Sequence, residues 1–178
     1  MELSLLRQFQ LQILMQSQFM LIAAEQINEG LQKNDITMTF YALQSFLNSS
    51  ANIAKALWGQ GGKRNLERQA LRDSIGINDS SPLKITQMRN NFEHFDERLE
   101  IWWKEAPNHN CVDLNIISRK HIIDLSGSDL GWFRNFDPQT TTLTFWSEDF
   151  YVQELIDEVR RILPKLEEEA NKPPWEMP

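Results

Sequence analysis

The 178-residue chain contains 25 acidic and 18 basic residues, which give it a net charge of −7 at pH 7. With 41% hydrophobic and 24% charged residues, the composition is that of a globular protein and excludes an intrinsically disordered chain. The acidic balance argues against a protein that coats nucleic acid, although it leaves room for a local basic patch.

The chain carries few residues that bind metals or form disulfides. Its one cysteine, Cys111, leaves no internal disulfide, and three widely spaced histidines do not complete a zinc motif, so we predict no metal and no cofactor. Glutamines interrupt the first apolar segment, which predicts no membrane span, and the N-terminus shows no signal-peptide pattern. We therefore expect a cytoplasmic protein with no membrane partner, folded as a single domain over residues 1–178.

Two long helices are predicted first. Residues 3–29 are apolar over a broad arc and end near Gly30, which predicts a helix that is central in the bundle or shared with a second subunit. Residues 36–58 predict the second helix, with Asn34 or Asp35 as its N-cap.

The third predicted helix, residues 65–75, places Arg64, Arg68 and Arg72 on successive turns. Guanidinium groups form bidentate hydrogen bonds with phosphate, so this row is a candidate binding surface for an RNA backbone. Ion pairs with acidic residues of the same or neighbouring helices account for the pattern equally well.

Residues 82–105 carry the clearest amphipathic pattern, and we predict one continuous helix. Ser81 is a candidate N-cap and Pro82 a candidate first helical residue. Six apolar residues alternate at steps of three and four and form one stripe: Ile85, Met88, Phe92, Phe95, Leu99 and Trp102. Arg89, Asn90 and His94 lie off this stripe, where a solvated face with ion pairs such as Arg89–Glu93 is the simplest interpretation.

The pattern changes after Pro107. Residues 112–146 alternate and are rich in threonine and aromatic residues, which predicts a small antiparallel sheet or hairpin covering the bundle. Ser147, Glu148 and Asp149 predict a capped, acidic start to a last helix over residues 148–169. The predicted fold class is all-α, an up-and-down bundle of about five helices with a β insertion before the last one.

Arg89, Asn90, three further residues and His94 resemble the signature of the HEPN superfamily, in which an arginine, often followed by a polar residue, precedes a histidine after a short spacer. The flanking sequence FEHFDERLEIWW and the earlier SSANIAKALW are similar to helices of uncharacterised bacterial members. The resemblance covers roughly residues 1–105. It implies a small helical bundle that commonly dimerises and whose paired motifs cleave RNA without a metal.

The resemblance implies a homodimeric, metal-independent endoribonuclease, such as a toxin or a phage-defence effector. His94 would act as general base or acid, Arg89 would stabilise charge on the phosphate, and Asn90 would hold His94 or the phosphate. The alternative is a non-catalytic HEPN-like domain that binds a nucleotide, RNA or a protein partner. A third hypothesis is an interaction scaffold whose dimer seam buries the Arg89–His94 face.

One residue departs from the pattern of the toxins in this superfamily that pair with a nucleotidyltransferase antitoxin. Those toxins often carry a tyrosine two residues after the histidine, which the partner modifies, whereas this chain has Asp96. The departure argues against regulation by tyrosine modification and against membership of that toxin–antitoxin subgroup.

Overall fold

The structure, a computed structural model, describes residues 1–59, 62–105, 109, 113–118, 133–146, 148–173 and 175–176. Two long helices form its centre: α1 (Leu3–Gln32) and α2 (Ile36–Trp58). The predicted cap is confirmed, because the Asp35 carboxylate accepts a hydrogen bond from Met38 N at 2.9 Å. Gly30 does not end α1. A Cβ there would lie 2.5 Å from Thr39 Oγ1, so glycine allows the two helices to approach closely.

Helix α1 has a buried face and an exposed apolar stripe. Its buried face packs against α2 and the last helix, α7 (Val152–Ala170). The stripe comprises residues that are 36% to 52% exposed: Leu11, Met15, Phe19 and Ile22. No charged residue occurs between Arg7 and Glu25. The helix is thus central within one copy, and contact of its outer face with a second subunit stays a prediction.

The predicted third helix is two short helices, so the prediction of one continuous element is wrong. Helix α3 covers Gly62–Glu67 and α4 covers Gln69–Ser74, with a break at Arg68. At the break, the Arg68 guanidinium lies 3.9 Å from the ring centroid of Phe9 and donates to carbonyls of α2. These contacts hold the arginine against the bundle.

The single helix predicted over residues 82–105 is also wrong. Residues Pro82–Lys84 form a 3-10 turn, Ile85 is extended and 55% exposed, and two helices follow: α5 (Gln87–Glu93) and α6 (Phe95–Glu105). Ser81 does not cap a helix with its side chain; its hydroxyl donates to Glu158 Oε1 at 2.7 Å. The apolar period could not reveal the break, because steps of three and four continue unchanged across one non-helical residue.

A four-stranded sheet precedes α7, which confirms a helical protein with a β insertion before its last helix. The strands are β1 (Asn115–Ile116), β2 (Arg134–Asp137), β3 (Thr142–Phe145) and β4 (Glu148–Tyr151), paired in that order. The expected antiparallel pairing holds from β2 to β4, whereas β1 is parallel to β2. Parts of the predicted insertion, Val112 and residues 119–132, lie outside the described residues, as does Cys111.

Aromatic side chains join the helices to this sheet. Ring centroids lie 5.7 Å apart for Phe92 and Phe145, 5.5 Å for Phe95 and Phe133, and 5.4 Å for Trp102 and Phe133. These are the distances of tilted and edge-to-face pairs. Residues of α5 and α6 therefore pack on one aromatic cluster, which fixes both helices against the sheet.

The last helix begins later than predicted. Glu148 and Asp149 pair with β3 as part of β4, and α7 starts at Val152; Ser147 lies outside the described residues. Thr144 Oγ1 donates to Asp149 Oδ1 at 2.7 Å, so this carboxylate is engaged within the sheet. Pro164 does not end α7, which continues to Ala170. None of the helices in the described part of the chain combines the length and the apolar character that crossing a membrane requires.

Candidate functional site

The three motif residues lie where α5 meets α6. Arg89 and Asn90 belong to α5, whereas His94 occupies the break, with φ −99° and ψ 36°. Its backbone N–H still donates to Asn90 O at 3.0 Å. On a continuous ideal helix, side chains five residues apart point about 140° away from each other. Because His94 lies at the break between α5 and α6, helical geometry does not fix the direction of its side chain relative to that of Arg89.

Arg89 is held mainly by its own helix. Its guanidinium forms an ion pair with Glu93, as the helical spacing predicted, and Nη1 donates to Asn90 Oδ1 at 3.3 Å. The side chain is 19% exposed, and its Nε is buried without a hydrogen-bond partner among the described residues. A partly exposed guanidinium held in a fixed position is suited to binding an anion.

His94 faces solvent. Its side chain is 56% exposed, and Nδ1 lies 3.5 Å from Glu97 Oε1. The imidazole is therefore accessible to a ligand, but one copy of the chain does not place it in the same cavity as Arg89 and Asn90.

That cavity lies where the C-terminal end of α2 meets the 3-10 turn and α5, and its volume is about 310 Å³. Three of the eight described residues that line it are cationic and none is acidic. The eight lining residues are Ala54, Lys55, Trp58, Gly59, Lys84, Thr86, Arg89 and Asn90. In a chain with excess acid, this is a local concentration of positive charge with amide and hydroxyl groups beside it.

Asp79 contacts two of the residues that line the cavity, Trp58 and Lys84. Its Oδ1 accepts a hydrogen bond from Trp58 Nε1 at 2.7 Å and lies 3.5 Å from Lys84 Nζ and 3.7 Å from Arg72 Nε. The hydrogen bond from Trp58, together with these two cations, lowers the pKa of the Asp79 carboxyl. Lys55 has no ion-pair partner within the described part of the chain, so its charge is available to a ligand.

No family model, curated protein or solved structure matches this chain. The resemblance to the HEPN superfamily thus stays a prediction that rests on the motif residues and their surroundings.

The three arginines predicted to bind phosphate do not form one exposed row. Arg72 is 2% exposed, and its Nη1 donates to Leu57 O at 2.7 Å and Asn65 O at 3.1 Å. Arg68 Nη1 donates to Lys55 O at 3.3 Å and to Ala56 O. Only Arg64 of the three is exposed.

Arg72 Nε lies 3.7 Å from Asp79 Oδ1, an ion pair of the kind that the sequence suggested. Both arginines also donate to the terminal carbonyls of α2. Such carbonyls carry the negative end of the helix dipole. Two guanidinium groups neutralise that end beside the cavity, which makes the surroundings of Lys55 and Trp58 more favourable for an anion.

Three residues that line the cavity were not predicted from the sequence: Lys55, Trp58 and Lys84. A lysine in the last turn of a helix is common because it complements the dipole, so Lys55 carries no distinctive signal. Lys84 lies in what was predicted to be the first turn of a long helix. Only the packing of α2 against the 3-10 turn and α5 brings them to Arg89.

Among the described residues, no group of three or more histidine, cysteine, aspartate or glutamate side chains could hold a metal ion. Among the described residues, the carboxyl group with the largest shift in pKa is that of Glu169. This residue of α7 is fully buried and forms an ion pair with Arg7 of α1. Burial by itself raises the pKa of Glu169, but hydrogen bonds from Lys172, Arg7 and Lys165 outweigh it and lower the pKa to about 2. The cluster joins α1 to the end of α7 and has a structural role.

Proposed function

We propose that this protein is a HEPN-like RNA-binding protein whose phosphate site is the cavity lined by Arg89 and Asn90. The observation that supports the proposal is the composition of that cavity: the arginine and asparagine of the motif share it with two lysines and no acidic side chain. Arginine binds phosphate oxygens through two parallel hydrogen bonds, and the amide and lysines add further donors.

Recognition at this site depends on the backbone of the RNA and not on its bases. Trp58, the aromatic residue in the lining, is 4% exposed, so it does not offer an open face on which a base could stack. Phosphate contacts position nucleic acid without reading its sequence. We therefore expect similar affinity for single strands of different sequence and a strong dependence on salt.

Replacing Arg89 with glutamine tests the proposal. We expect R89Q to weaken binding of a fluorescent single-stranded RNA about tenfold, because it removes a charge-assisted bidentate contact. The measurement is fluorescence anisotropy at low salt. R160Q is the matched control, since Arg160 is an exposed arginine of α7 outside the cavity and its loss changes the net charge equally. Equal weakening by both substitutions would show that binding depends on overall charge alone.

A second candidate function is metal-independent endoribonuclease activity, which the exposure of His94 favours. In this mechanism, one His94 removes the proton of a ribose 2′-hydroxyl, and the 2′-oxygen attacks the adjacent phosphorus. The bond from phosphorus to the 5′-oxygen breaks, and that oxygen takes a proton from a second His94. The products are a 2′,3′-cyclic phosphate and a 5′-hydroxyl end.

Such catalysis needs two copies of the chain, because one copy supplies one His94, and that residue lies outside the cavity. The uncharged apolar stripe of α1 is the surface that we propose for contact between copies. An active enzyme of this kind could serve as a toxin or phage-defence effector that a protein partner restrains.

The His94→Ala substitution separates cleavage from binding. If the protein is an endoribonuclease, H94A should abolish cleavage in EDTA while retaining the RNA affinity of the wild type, because the exposed imidazole contributes chemistry and not binding. Denaturing gels and mass spectrometry of the products measure cleavage, and fluorescence anisotropy measures RNA affinity. Absence of cleavage by wild-type protein, or equal cleavage by H94A, would remove the enzymatic hypothesis and leave RNA binding intact.

A further inference from the structure

Three cations line the cavity at the end of α2, and two of them also pair with carboxylates outside the lining. An internal phosphodiester carries one negative charge, whereas a phosphate monoester carries close to two at neutral pH, since its second pKa is about 6. Lys55, Lys84 and Arg89 approach the cavity from three separate elements, and none of the described lining residues is acidic.

Two of these cations are already partly neutralised. Glu93 pairs with Arg89, and Asp79 lies 3.5 Å from Lys84 Nζ. Lys55 has no ion-pair partner within the described residues, and Arg89 Nε, itself buried, has no hydrogen-bond partner among them. Lys55 therefore brings an unpaired ammonium group to the cavity, while Lys84 and Arg89 line it as partly neutralised cations, an arrangement that suits a ligand with several acceptor oxygens.

The volume also limits the ligand. A cavity of about 310 Å³ is at the small end of the range for small-molecule sites, so it can hold a phosphate and an attached sugar. The α2 carbonyls next to it, which would repel an anion, are bonded to Arg68 and Arg72. The fold thus reduces the negative potential of these carbonyls beside the cavity.

From these observations we propose that the cavity is a site for a phosphate monoester carried by a nucleoside, with Lys55 and Lys84 as ligand residues beside Arg89 and Asn90. The monoester can come from a free mononucleotide or from the phosphorylated end of an RNA strand. The inference rests on the proposed phosphate-binding function and names the form of phosphate that the site prefers.

The test compares two RNA oligonucleotides of one sequence, one with a 5′-phosphate and one with a 5′-hydroxyl, each labelled at the 3′ end, together with adenosine monophosphate as competitor. We expect the 5′-phosphorylated strand to bind about tenfold more tightly and the mononucleotide to displace it. K55Q and K84Q should each remove most of that preference. K33Q is the control, because Lys33 is an exposed lysine at the turn between α1 and α2.

The outcomes separate this inference from the proposed function. Equal affinity for the two strands, with both still weakened by R89Q, would overturn the monoester site and leave RNA binding standing. A preference that K55Q and K84Q do not change would also overturn it. Binding of the mononucleotide that K84Q weakens, without binding of either strand, would support the site and contradict an RNA-binding function.

Discussion

Replacing Glu169 with glutamine should lower the free energy of unfolding by about 3 kcal/mol, the cost of removing one partner of a buried ion pair. The carboxylate has no exposed surface, and Oε2 lies 3.0 Å from Arg7 Nη1, while Lys165 and Lys172 bind Oε1 at 3.1 and 2.6 Å. The substitution leaves the buried Arg7 guanidinium without its countercharge. Urea unfolding at pH 7 measures the loss.

The neighbouring Glu168 provides the control. Its side chain is 56% exposed and pairs with Lys165 and Lys172 at the surface, where solvent screens the charges, so E168Q should cost much less stability than E169Q. Similar losses for E168Q and E169Q would contradict the assignment of a buried ionic cluster that ties α1 to α7.

Because the pKa of Glu169 is lowered on folding, we expect the stability of the protein to depend on pH. The pKa of Glu169 is about 2 in the folded protein, below its ordinary value of 4.5. A lowered folded-state pKa stabilises the protein fully above the unfolded value, and this contribution is lost as the pH falls from about 4.5 through about 2. The difference in stability between wild type and E169Q should therefore shrink over that range.

Replacing Arg72 with methionine should also destabilise the fold by about 3 kcal/mol. Methionine fills similar space but cannot donate, so Leu57 O and Asn65 O lose a charged partner, and Gln69 Oε1 loses the Nη2 donor that lies 2.6 Å away. Buried acceptors left without a donor cost about 1–3 kcal/mol each, less where water can reach them. Urea unfolding again gives the measurement.

R64M is the matched substitution, because Arg64 is exposed and lies two turns earlier in the sequence; it should change stability by less than about 0.5 kcal/mol. The pair also tests the original phosphate-binding interpretation. If R72M left stability unchanged and weakened RNA binding instead, Arg72 would be a ligand residue and its structural assignment would be wrong.

The sequence predicted the fold where the local signals are strong. The Asp35 cap and the apolar periods predicted the bounds of α2 correctly and the end of α1 to within about three residues, and the alternating, threonine-rich segment indicated the sheet. The prediction was wrong where a local sequence pattern is compatible with both a helix and a strand. Glu148 and Asp149 look like an acidic helix start, yet they pair with Phe145 and Thr144 of β3 and form a strand. The strand β3 is itself paired with β2, so the sheet decides between the two structures.

The candidate site was predictable only in part. Arg89 and Asn90 were found from the motif, and both line the cavity. The break at His94 and the burial of Arg72 depend on tertiary packing, which a helical repeat does not report. Lys55 and Lys84 come from elements far apart in the chain, so their meeting at Arg89 is a property of the fold alone.

The most direct test of the central claim observes Arg89 itself while RNA binds. In a 15N-labelled sample, the Arg89 Nε–Hε signal can be assigned by its absence in R89Q and followed during titration with single-stranded RNA. Because Arg89 lines the proposed phosphate site, we expect a large, saturable shift of this signal, with smaller shifts for the Asn90 amide and the Trp58 indole. RNA binding that leaves these three signals unchanged and shifts residues elsewhere would contradict it.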